Sequence, residues 1–91
     1  MVQAIVDPEE LRQFASRLAA FKETLRDQIT GLDAAFGRLQ ETWRDQEQDR
    51  FETIFQEAKQ SLGHFLEAAD DHVSFLAAKA DDAQQYLDRR M

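Results

Sequence analysis

A single tryptophan, Trp43, sits near the middle of this 91-residue chain, and a stripe of apolar residues at helical spacing runs away from it on both sides. On the amino-terminal side the stripe is Leu11, Phe14, Leu18, Phe21, Leu25, Ile29, Leu32, Phe36 and Leu39. On the carboxyl-terminal side it is Phe51, Ile54, Ala58, Leu62, Phe65, Ala69, Val73, Leu76, Ala80, Ala83 and Leu87. Every step is three or four residues, which keeps the side chains on one face of an α-helix, and the alternation a strand needs is missing. Each arm is amphipathic and has to bury its stripe, and a bend near Trp43 lets each arm bury it against the other. The expected fold is therefore all-α, an antiparallel helical hairpin forming one domain over residues 1–91. Helix one spans about 8–42, the turn about 43–46 and helix two about 47–88. The alternative, one helix unbroken through Trp43, would be over ~115 Å long.

The local signals agree with two helices. Asp7-Pro8-Glu9-Glu10 supplies a capping carboxylate, a proline at the first helical position and acids where the helix dipole favours them, and Val6 is placed to staple onto Leu11. The bend contains neither Pro nor Gly. Asp45 is its turn former, because Asp tolerates left-handed backbone and can also cap the helix that follows, with Gln48 completing a capping-box-like pair. Gly31, Gly37 and Gly63 fall inside helices at up to ~1 kcal/mol each relative to Ala, which points either to local irregularity or to close helix approach.

One seam does not use up the apolar surface. The chain has seven Phe and one Trp, and in helix two the stripe widens at the adjacent pairs Ile54/Phe55, Phe65/Leu66 and Phe75/Leu76. A second packing surface is expected, with Phe14, Leu18, Phe21 and Leu25 of helix one and Phe55, Leu62, Leu66 and Phe75 of helix two as its interface residues. Pairing two hairpins into a four-helix bundle would cover it, since large apolar patches are hard to keep exposed.

Composition narrows the function classes. A net charge of −7 argues against nucleic acid and anionic membranes as partners. The excess is uneven: residues 1–42 carry seven acids and five bases, residues 43–91 eleven acids and six bases. There is no cysteine, so neither disulfides nor thiolate chemistry enter. The segment Met1–Pro8 lacks the basic region of a secretory leader and no apolar run is long enough to cross a membrane, so export, if it occurs, is expected without a cleavable signal peptide.

Chemistry has little to stand on. His64, Glu67, Asp71 and His72 lie within two turns or so of one another, but a bundle di-metal site needs Glu-x-x-His sets, and none occurs. Ser16, Ser61 and Ser74 sit in helices with no loop to form an oxyanion hole. No catalytic residue, cofactor or metal ligand is expected, and the protein is not read as an enzyme.

The Asp7-Pro8-Glu9-Glu10-Leu11 opening, the two long helices and the central Leu39-x-x-x-Trp43-x-Asp45, followed by Phe51, resemble the WXG hundred-residue family, the early secreted antigen relatives exported by type VII secretion. The resemblance covers essentially the whole chain. It implies a hairpin that pairs antiparallel with itself or with a similar hairpin, a secretion ATPase as a further partner, and a role as a substrate or co-secretion partner. It also implies that Trp43 caps the hairpin end and Asp45 makes the turn. Asp45 stands where the motif has Gly, and Tyr86 is followed four residues on by Arg90 where the family's export signature has an acid. The alternative function is a cytoplasmic helical adaptor or chaperone that binds a client helix on the same apolar surface.

Overall fold

The computed structural model describes residues 6–90 as two helices, α1 (Pro8–Leu39) and α2 (Gln46–Arg90), folded back on each other in a rod 68 Å long. The helices are antiparallel. Three ion pairs fix the register: Arg12 with Asp81, Lys22 with Asp70, and Asp33 with Lys59, so that climbing α1 descends α2 by about the same number of residues.

α1 starts as its cap dictates. Asp7 has extended backbone, and its carboxylate accepts from the amides of Glu9 at 3.0 Å and Glu10 at 3.5 Å. The helix ends at Leu39, three residues before the sequence suggests. There the amides of Glu41 and Thr42 turn to carbonyls three residues back, and the Thr42 hydroxyl also donates to the Leu39 carbonyl at 3.3 Å. Such local bonds tighten the last turn and offer the backbone an alternative to continuing the helix. Arg44 Nε donates to the Gln40 carbonyl at 3.2 Å, satisfying another group that the helix end leaves open.

The seam is built from small residues flanked by larger ones. Ala15, Phe36, Ala69 and Ala80 are buried, while Leu11, Leu18, Leu25, Ile29, Phe55, Leu66, Val73 and Leu76 are half-buried along the same line. Two helices have no third layer to close over them, so no large side chain among the described residues is fully enclosed. Close helix approach does not explain the glycines: a Cβ built at Gly31, Gly37 or Gly63 meets nothing within 4 Å.

At 100° per residue, the three cross-helix ion pairs fall on one edge of the seam, here called the reverse face. Lys22 holds the Asp70 carboxyl below its ordinary value near 3.8, chiefly through their hydrogen bond, against a smaller opposing desolvation. A carboxylate whose pKa is lowered by folding adds stability above its unfolded pKa and loses it as pH falls through the folded value. Asp70→Asn is therefore expected to be less stable than the parent chain at neutral pH, with the gap closing below about pH 3.8. Urea titrations at two pH values check it, and a gap that is unchanged in acid would contradict the pairing.

Candidate functional site

Two features stand out on the hairpin, its tip and the edge opposite the ion pairs. At the tip four aromatic rings interlock. Phe36 of α1 lies 5.0 Å from Phe55 and 5.5 Å from Phe51 of α2, centroid to centroid. Phe51 and Phe55 stack at 6.1 Å, and the half-buried Trp43 reaches Phe51 at 6.0 Å. Tilted and offset rings at these separations attract beyond their buried area. Trp43 thus joins the two arms through Phe51, which itself touches Phe36.

Of the two roles open to Asp45, left-handed turn residue and helix cap, the structure uses the second. No described residue has positive φ, so the bend uses no left-handed backbone. Instead, Asp45 caps α2, its carboxylate accepting from the Gln48 amide at 2.8 Å while its carbonyl accepts from the Asp49 amide at 3.3 Å. Gln48 is buried beneath the cap. Since the position is a helix cap, Gly and Asp are nearly interchangeable there: Asp45→Ala is expected to cost ~1 kcal/mol and Asp45→Gly only a few tenths. Thermal melts of the two variants check the order, and a larger loss with Gly would contradict the capping role.

The edge opposite the ion pairs, the front face, is apolar for most of its length. Phe14, Phe21, Leu32 and Leu39 of α1 and Phe51, Ile54, Leu62 and Phe65 of α2 are exposed, and helical geometry puts all eight on this side. Phe21 and Phe65 meet across it edge to face at 6.1 Å. Leu25, Ile29, Leu32 and Leu62 line a shallow hollow nearer the tip, and Val6, Leu11 and Phe14 line another with the stems of Glu10 and Lys79.

The residues expected at an interface divide accordingly. Phe14, Phe21 and Leu62 are on the front face. Leu18, Leu25, Phe55 and Leu66 are half-buried along the seam; Phe55 packs on Phe36 within the hairpin, and Leu25 also lines the front hollow. Phe75, at 64% exposure, is turned about 80° round the helix from Phe65, toward the outer side of α2. In the adjacent pairs Ile54/Phe55 and Phe65/Leu66 the first member is exposed and the second turns inward. Sequence reasoning missed Phe36 and Phe51 as the aromatic clasp and missed the three ion pairs. Both were within reach once a bend at Trp43 is assumed, because an antiparallel register sets residues 12, 22, 33 and 36 level with 81, 70, 59 and 55.

Among the described residues no group of three or more His, Asp or Glu is placed to hold a metal ion, and no helix is long and apolar enough to cross a membrane. His72 Nδ1 lies 2.8 Å from the Ala68 carbonyl, within its own helix.

Known proteins carry the same architecture. A crystal structure of the secreted protein EsxB from Bacillus anthracis str. Sterne superposes on this chain with a TM-score of 0.78 at 22% identity, covering 94% of this chain and 98% of that one. A second crystal structure, of a single-residue mutant of the same EsxB, gives a TM-score of 0.79 at 22% identity over 94% of this chain and 96% of that one. At such identity the likeness is one of fold. No curated protein matches significantly. The model of the WXG100 family, proteins of 100 residues with WXG, matches residues 3–86. A match over nearly the whole length, with the tryptophan at the bend of a helical hairpin, places this chain in the WXG100 family.

Proposed function

We propose that this protein is a type VII-type secretion substrate or co-secretion partner that works by protein–protein contact. The observation that carries this reading is the front face: a hairpin that is already folded, with its seam closed on one edge by ion pairs, leaves eight large apolar side chains uncovered on the other. A patch of that extent on a soluble protein marks a binding surface. A similar hairpin fits it, because two amphipathic pairs laid face to face complete a four-helix bundle with shallow crossing angles. Family membership supports export, and the EsxB neighbours are described as secreted. A secretion ATPase is the further partner the reading requires.

An export assay in a host carrying type VII machinery tests it. The chain, alone or with a candidate partner hairpin, is expected in the culture medium and is expected to be lost from it when the ATPase is inactivated. A folded, paired protein that stays in the cells in every combination would overturn the reading in favour of a cytoplasmic adaptor.

A further inference from the structure

We propose that His72 makes the front face a pH-gated surface, which holds its partner hairpin at neutral pH and releases it in mild acid. This rests on the reading that the face docks a hairpin, and it adds the condition under which the face lets go.

His72 is set into the middle of that face. At 100° per residue it lies about 20° round α2 from Phe65, and the Lys22–Asp70 pair puts it level with Phe21 of α1. It therefore stands beside the Phe21–Phe65 pair, at the centre of the exposed apolar surface. The other histidine, His64, is turned about 100° from Phe65, to the outer side of α2.

The imidazole is already oriented. Its Nδ1 lies 2.8 Å from the Ala68 carbonyl, and a carbonyl oxygen can only accept, so Nδ1 carries the hydrogen in both charge states. Nε2, at the outer end of the ring, is left as the atom that gains or loses a proton. In the open hairpin the residue is exposed, and water solvates either form. Under a docked apolar face the neutral ring is one more aromatic surface, whereas the protonated ring is a cation stripped of water.

The surrounding charges do not compensate that cation. The charged groups nearest to it on the front face are Arg17 of α1 and Lys79 of α2, both positive, and Lys79 also lines the hollow around Phe14. By helical position the acids on this face are Glu10 and Glu47, near opposite ends. Glu10, the nearer, is about 16 Å along the rod from His72, beyond the Debye length of ~10 Å at 0.1 M salt. Across the seam, Lys22 is engaged with Asp70 on the reverse face. Asp71 is turned about 100° away, to the outer side of α2, and is exposed there. The covered face thus binds fewer protons than the open one. Affinity is full above the range in which a histidine titrates, roughly pH 5–8, and falls as pH drops through it.

Sedimentation velocity at about pH 7.5 and about pH 5.5 tests this, since histidine is the side chain that changes charge across that range and the chain has two. The purified chain serves as its own probe hairpin; if it stays monomeric, the probe is the candidate hairpin of the export assay. The dissociation constant is expected to rise about tenfold or more at the lower pH, the factor that one bound proton supplies per pH unit. His72→Gln, neutral at both values, is expected to abolish the rise, and His72→Lys, charged at both, to bind weakly throughout. His64→Gln is expected to keep the rise. Circular dichroism checks that each variant stays helical, as substitutions at exposed positions should. An unchanged dissociation constant in the parent chain, or a rise that survives His72→Gln, overturns the gate and leaves the docking face in place. Pairing with neither probe at either pH removes the docking face, and the gate with it.

Discussion

Phe36→Ala is expected to cost about 3–5 kcal/mol, the largest loss of any single truncation in the chain. Phe36 is the one large apolar side chain among the described residues that is buried, and its ring touches both Phe51 and Phe55 across the seam. Removing it leaves a hollow at the hairpin end that neither arm can close, because both are straight helices already held at their caps. A small domain has a total stability of ~5–15 kcal/mol, so the variant should lie near the edge of folding. Urea denaturation at fixed protein concentration, followed by far-ultraviolet circular dichroism, measures the cost. Trp43 fluorescence gives a second reading, since the indole packs on Phe51 of the same cluster. A loss within ~0.5 kcal/mol, the size of an ordinary surface change, would mean that the aromatic clasp does not hold the hairpin shut.

Charges on the front face are expected to have the opposite profile. Phe21 and Phe65 are 54% and 43% exposed, so the double variant Phe21→Glu/Phe65→Glu should leave the hairpin folded. In an assembly the two carboxylates would be buried without partners, which costs several kcal/mol. Association is therefore expected to disappear while helicity remains, and export that depends on association is expected to disappear with it. An associated variant would show that the front face is not the contact surface.

How far the sequence alone leads depends on which question is asked. The three-four stripes on either side of Trp43 and the Asp7-Pro8 cap are enough for the hairpin, because spacing and capping are local properties. Which apolar residues face inward is a different matter. The stripe on each helix is wider than the seam, and because neighbouring residues are about 100° apart, a rotation of the seam's centre by well under half a turn exchanges the two members of a pair such as Phe65 and Leu66. That is why Phe55 and Leu66 read as surface residues from the sequence and lie in the seam. The ion pairs require the register, which is set by the length of the bend. The bend itself was legible at Trp43 and Asp45, but its mechanism was not, because Asp serves equally as a left-handed turn residue and as a helix cap. Here the cap is what it supplies.

The claim on which the rest depends is that the front face is covered in the working protein and the outer side of α2 is not. Hydroxyl-radical footprinting read out by mass spectrometry measures it side chain by side chain. As an isolated hairpin, the chain exposes Phe14, Phe21, Ile54 and Phe75 to similar extents, at 58%, 54%, 62% and 64%. In solution at concentrations where the protein associates, Phe14, Phe21 and Ile54 are expected to react far more slowly than Phe75. Four side chains reacting alike, or Phe75 protected while the other three stay reactive, would contradict it.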